Sequence, residues 1–170
     1  ADDRFYETTE AGYQLQGKIT DEGNEIEISE KKGLYNTLLT GTLANEANVD
    51  AVEAEDPQGD PTEIALHVSA YKGGIRLSDT RLSREEIDML PFEPERKYMA
   101  TLNKGPDGSI IFLKGAPESV LDRCEYQLVD GELIPLDTRK VQARAKEMAA
   151  EGLRVLAMAY RPKEIKNLDD

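Results

Sequence analysis

Four short stretches carry residues with chemical potential. In "FLKGAPESVL" (112–121) an apolar, strand-like run ends at Lys114, Gly115 follows, and Ala-Pro-Glu opens a helix. A glycine turn into a helix N-terminus can hold phosphate, because free N–H groups and the helix dipole favour anions. The P-loop pattern G-x-x-x-x-G-K-[ST] is absent, so Lys114 is not a P-loop lysine. "GDPTEIAL" (59–66) sets Glu63 in the first turn of a helix, and "PFEPERKYM" (91–99) sets Phe92 ahead of Lys97. "GLRVLAMAYR" (152–161) carries Arg154 in an otherwise apolar run, where a charge is costly unless paired or at a sheet end. Taken singly, each has a plain explanation: Phe92 as core, Lys114 as solvated surface, Glu63 as half of a capping box.

Other chemistry lacks its parts. His67 is the single histidine and Cys124 the single cysteine, so neither forms a metal cluster with its own kind or a nucleophilic triad. His67 reads as an ordinary structural or surface histidine. One cysteine makes no internal disulfide, which suits a reducing compartment. The formal net charge of −13 argues against a nucleic-acid partner. A small anionic ligand would need a local island of Lys and Arg. No apolar run reaches the roughly 20 residues of a membrane span, and "ADDRFYETTE" has neither the basic start nor the apolar core of a signal peptide.

The 170 residues suit one domain with a real core. "GYQLQGKI" (12–19) and "EIEIS" (25–29) alternate as strands do. Residues 33–49 place Leu34, Leu38 and Leu39 at helical spacing, and "DPQGDP" (56–61) is a loop. Asp60 as N-cap, Pro61 and Glu63 open a helix that Gly73-Gly74 closes. "SREEIDML" (83–90) repeats the cap-plus-Glu device and predicts another helix. "KYMATLN" and "SIIFLK" form a hairpin through "KGPDG", and "YQLVDGELIPL" (126–136) forms a second around Asp130-Gly131. A short helix follows Lys114-Gly115. An Ala-rich helix spans 138–152, and 153–160 is an apolar, buried strand. Helices among hairpins give an α+β fold with a largely antiparallel sheet.

In this order and spacing the four stretches resemble the nucleotide-binding domain of a P-type cation-transporting ATPase, in the type II branch that includes calcium pumps. The family pattern is a D-P-T-E-like helix start, F-x-x-x-R-K-x-M, K-G-A-P-E and L-R-x-L-A. Here these are Asp60 to Glu63, Phe92 to Met99, Lys114 to Glu118 and Leu153 to Ala157. "FYETTEAGYQLQGKI" resembles the strand leading into that domain, so the likeness reaches nearly the whole chain. The resemblance implies a six- or seven-stranded antiparallel sheet flanked by helical hairpins, with ATP held by its adenine. It implies that Phe92 stacks on the base, Glu63 lies beside it, and Lys97 and Lys114 line the pocket. It also implies that Gly115 allows close approach, Arg154 reaches toward the phosphates, and Leu156 closes the site. These types suit ATP: an aromatic offers a π-face, and cations supply the positive island. One departure stands out. Pro94 occupies a position where related pumps often carry a phosphate-binding arginine, so that contact is not expected here.

The phosphorylated D-K-T-G-T and the G-D-G-x-N-D magnesium motif of the family are both missing. By resemblance, residues 1–170 are one cytoplasmic domain of an integral membrane pump, without direct membrane contact. It would bind ATP or ADP, with Mg-ATP as the parent's substrate, and act beside that pump's phosphorylation and actuator domains. Alone it should not hydrolyse ATP. Calcium is the ion expected from the branch, with magnesium, sodium and protons open. The alternative is an acidic protein-interaction domain without nucleotide.

Overall fold

The computed structural model describes residues 4–53 and 57–168. Asp56, the first residue of the expected loop, and both extreme ends of the chain lie outside them. The elements in order are β1 (Tyr6–Thr8), β2 (Ile19–Asp21), β3 (Asn24–Glu25), a 3-10 turn (Ile28–Glu30), α1 (Lys32–Leu43), α2 (Val49–Glu53), α3 (Pro61–Lys72) and α4 (Leu77–Ser83). Then follow β4 (Glu86–Glu93), β5 (Tyr98–Gly105), β6 (Gly108–Gly115), α5 (Pro117–Leu121), β7 (Tyr126–Val129), β8 (Glu132–Pro135), α6 (Thr138–Ala150) and β9 (Ala157–Pro162).

The architecture is α+β and every strand pair is antiparallel. The strands divide among ladders of four (β4-β5-β6-β9), three (β1-β2-β3) and two (β7-β8), rather than running as one sheet of six or seven. Both expected hairpins form. β5 and β6 join through Gly105 and Gly108. Asp130 and Gly131 both take positive φ (48° and 85°), the backbone a two-residue hairpin turn requires.

α1 ties the molecule together. Leu34 packs with Ile64, Val68, Ile75 and Leu77 in a core between helices. Leu39 and Leu43, further along the same helix, pack on Met99 and Phe112 of the four-stranded sheet. Its buried Thr40 and Thr42 return their hydroxyls to the carbonyls of Asn36 and Leu38, so neither hydroxyl is buried without a partner. The helix stops at Leu43 instead of running to 49, because Asn45 gives its side-chain amide to the Gly41 carbonyl (2.8 Å). Side-chain amides of this kind compete with the helical ladder.

Three other expectations are corrected. Residues 83–90 are not a helix. Ser83 closes α4, its hydroxyl donating to the Thr80 carbonyl (3.1 Å), and Glu86 starts β4. The capping signature there is a local coincidence that the long-range ladder with β5 overrides. The strand expected at 153–160 begins only at Ala157. It is a half-buried edge strand, with Leu153–Leu156 forming the approach to it. In the N-terminal region, the two expected strands shrink to Ile19–Asp21 and Asn24–Glu25, Ile19–Asp21 also pairs with Tyr6–Thr8, and "EIEIS" passes into the 3-10 turn. Among the described residues, no helix is long and apolar enough to cross a membrane.

Candidate functional site

The site is built at one end of the four-stranded sheet. Glu93, Tyr98, Gly115 and Ala157 form one row across β4, β5, β6 and β9, and Met99, Lys114 and Met158 form the next row. Phe92 precedes Glu93 at the register shift that follows Leu90. Lys97 precedes Tyr98, and Leu156 precedes Ala157. Register alone therefore gathers Phe92, Lys97, Gly115 and Leu156 at one end. Phe92 stands two strands from Lys114, roughly 10 Å at ordinary strand spacing.

Phe92 is 52% exposed, so it is not a core residue. It follows Pro91 on an edge strand, where proline's missing N–H costs no ladder bond. Lys97 holds a left-handed backbone (φ 60°), its amide donating to the Glu93 carbonyl and its carbonyl accepting from the Ala116 amide. Its ammonium makes an exposed ion pair with Glu118 (3.3 Å). Such pairs are worth little and are easily exchanged for another anion.

Gly115 answers a strict packing demand. A Cβ there would lie 2.4 Å from the Lys97 carbonyl oxygen and 2.5 Å from the Tyr98 Cβ. The backbone of β5 thus occupies the space a side chain would need. Gly115→Ala should destabilise the fold by about 1–3 kcal/mol, the cost of overpacking, and displace the Lys97 turn. A denaturant melt checks this, and an unchanged midpoint would contradict it.

Lys114 is not a surface lysine. It is 5% exposed, and its ammonium pairs with Oε1 of Glu63 on α3. Burial holds its pKa below the ordinary lysine value, with the Glu63 hydrogen bond and charge opposing that shift. Asp60 caps α3 by accepting from the amides of Thr62 (2.8 Å) and Glu63 (3.2 Å). The Glu63 carboxylate does not close a reciprocal capping box. Its Oε2 accepts from the Glu46 amide instead (2.6 Å). Arg154, exposed in the approach to β9, donates to the Thr62 hydroxyl (2.9 Å). The charge that looked costly inside a strand therefore lies outside it, beside α3. Asp60 is held below the usual carboxylate range, chiefly by the Glu63 amide and in smaller part by Arg154.

The seven expected residues are thus neighbours by contact or register. Glu63 and Lys114 are joined directly, Arg154 through Thr62, Lys97 lies with its carbonyl against Gly115 and bonded to the next residue, Ala116, and Phe92 and Leu156 are placed by their rows. The surface is open, since Phe92, Lys97 and Arg154 are exposed. A hollow of about 310 Å³ lies elsewhere, lined by Tyr71, Arg76, Ser78 and Asp79. It holds none of the seven, and the Arg76 guanidinium there already donates to the Tyr71 hydroxyl (3.1 Å). His67 is fully buried with Nε2 near the Ala47 carbonyl (3.4 Å), a structural position. Three participants went unnoticed in the sequence: Thr62, Glu118 and the Glu46 amide. Only Thr62 and Glu118 lay inside quoted motifs.

Comparisons with known proteins show the family of the chain. The family described as P-type ATPase, cytoplasmic domain N, matches residues 33–169. The cation-transporting ATPase pma1 of Synechocystis sp. is 37% identical over 169 residues, 95% of this chain and 18% of its own length. The calcium-transporting ATPase of Bacillus subtilis is 34% identical over 157 residues, 89% of this chain and again 18% of its own length. Calcium-transporting ATPase 1 of Lactococcus lactis is 38% identical over 107 residues, 61% of this chain and 12% of its own length. The chain therefore spans under one fifth of these relatives.

Proposed function

Because the chain belongs to the family of P-type ATPase cytoplasmic N domains, we propose that residues 1–170 form one nucleotide-binding domain that holds ATP by its adenine. Phe92 stacks on the base, Glu63 and Lys114 form the polar wall beside it, and Gly115 and Leu156 complete the floor. Lys97 and Arg154 turn toward the phosphates. Pro94 supplies no cation, so phosphate contact rests on these two.

The observation that carries this proposal is the buried Lys114–Glu63 pair at the same sheet end as a half-exposed Phe92. A polar, desolvated wall two strands from an open aromatic face is what a flat heterocycle with hydrogen-bonding edges requires. Lys97 now pairs with Glu118 and would exchange that exposed partner for phosphate. Magnesium belongs to the substrate here, arriving on the phosphates as Mg-ATP.

In the proposed parent, a longer cation-transporting chain, the domain lies on the cytoplasmic side of the membrane. It delivers the γ-phosphate to an aspartate on the phosphorylation domain, with the actuator domain as its other neighbour. Its share of catalysis is positioning, bringing nucleotide to a nucleophile it does not own. Calcium recurs among the names of the relatives and is the proposed ion.

Calorimetric titration of the purified chain tests the proposal. ATP and ADP should both bind saturably, and inorganic phosphate from ATP should stay at background. Absence of heat up to millimolar ATP would overturn nucleotide binding. Turnover intrinsic to the chain would overturn the division of labour.

A further inference from the structure

Glu63 does not hold its own position. Its Oε2 needs the Glu46 amide, which lies in the turn after α1, and that turn is fixed by one buried side chain. Asn45 is 1% exposed. Its Nδ2 donates to the carbonyls of Gly41 (2.8 Å) and Glu63 (2.9 Å), and its Oδ1 accepts from the Ala47 amide (2.9 Å). These partners leave no freedom in the orientation of the amide, because two are acceptors and one is a donor. The Asn45 carbonyl in turn accepts from the half-buried Arg81 guanidinium of α4, which also reaches the Thr42 carbonyl (3.3 Å). A saturated polar group in a buried site admits one geometry.

We infer that Asn45 is a positioning residue for the nucleotide site. It clamps the turn at 44–47 to the first turn of α3, so that the Glu46 amide meets the Glu63 carboxylate and the carboxylate meets Lys114. Asn45 itself touches no nucleotide. Its effect on binding is transmitted through Glu63, unlike that of an anchor that only joins two helices. The role rests on the nucleotide reading proposed above, but its consequence for Lys114 does not.

A double-mutant cycle on the full chain separates positioning from anchorage. ATP affinity is measured for the native chain, Asn45→Ala, Glu63→Gln and the combined variant, with the fold of each checked by amide NMR spectra. The Lys114 side chain is titrated by NMR in the native chain and in Asn45→Ala. Asn45→Ala should weaken ATP at least about 5-fold, the size of one lost hydrogen bond. In the Glu63→Gln background the same change should cost less than about 2-fold, and the Lys114 titration should shift in Asn45→Ala. Equal losses in both backgrounds, with Lys114 unmoved, would overturn the inference. Should Asn45→Ala not fold, Asn45→Asp enters the same cycle, because it keeps the acceptor for Ala47 and lacks the donor to Glu63. Unfolding of both would also overturn it, assigning Asn45 to the fold as a whole. If the native chain binds no ATP, the nucleotide reading fails, while the Lys114 titration still decides the role of Asn45.

Discussion

Phe92→Ala should weaken ATP binding roughly 5- to 150-fold, because stacking of a base on an aromatic is worth about 1–3 kcal/mol by alanine substitution. The same change should leave stability nearly intact. The ring is 52% exposed and sits on an edge strand at a register shift, outside both buried clusters. A fully buried phenylalanine would cost about 3–5 kcal/mol on truncation. With half its surface already in water, Phe92 should cost no more than about 1.5 kcal/mol. A titration and a denaturant melt on the same preparation separate the outcomes. A large loss of stability with unchanged ATP affinity would remove Phe92 from the site. Phe92→Tyr should retain most of the affinity, since it keeps the π-face.

Lys114 should show the opposite profile, with binding and stability both at stake. Lys114→Met places a side chain of similar reach between its cross-strand neighbours Met99 and Met158. It leaves the Glu63 carboxylate with the Glu46 amide as its remaining partner among those described. The loss should be about 1.5–3 kcal/mol, the range for a hydrogen bond to a charged group. Adding Glu63→Gln should recover most of that stability, because a buried ion pair replaced whole by neutral groups is often neutral or better. ATP affinity should stay low in both variants, which separates folding from binding. Glutamate at 114 is a poorer probe, since two carboxylates would then share the buried position.

The pH dependence follows from the same burial. The Lys114 pKa is lowered from 10.5, chiefly by desolvation. Between its folded pKa and 10.5 the unfolded chain binds more protons than the folded one, so stability contributed by this group rises with pH across that interval. The penalty for the buried charge is complete below the folded pKa and is relieved above it. Denaturant melts from neutral pH into the alkaline range should therefore show a slope at the native chain that Lys114→Met removes. An identical slope in both would place the charge in solvent.

How much of this was legible in the sequence depends on the range of the signals. The start of α3 is local: Asp60, Pro61 and the amides of Thr62 and Glu63 lie within four residues, and the helix begins where they say. Asp130-Gly131 is equally local and makes its turn. Ser83 and Glu86 sent the same kind of signal and misled, because the ladder of β4 with β5 starts by pairing Glu86 with Asn103, beyond the reach of a local window, and outweighs a cap. The end of α1 was missed since nothing in "TLANEANV" distinguishes a buried, saturated Asn45 from a solvated one. The family resemblance named the seven candidate residues together. It did not say that Glu63 and Lys114, 51 residues apart, would pair directly. Nor did it say that the proximity of Gly115 to β5 is what forbids a side chain there. Those facts arise from strand register and helix packing, which no window of sequence contains.

The central claim is that ATP binds at the sheet end where Phe92, Lys97, Gly115 and Leu156 meet the Glu63–Lys114 pair. The most direct measurement is an NMR titration of the isotope-labelled chain with ATP, followed residue by residue. The account predicts that the largest saturable shifts fall on Glu63, Phe92, Lys97, Lys114, Gly115, Arg154 and Leu156, with the Phe92 ring resonances moving upfield under the base. Shifts centred instead on Tyr71, Arg76, Ser78 and Asp79, or none at millimolar ATP, would contradict it.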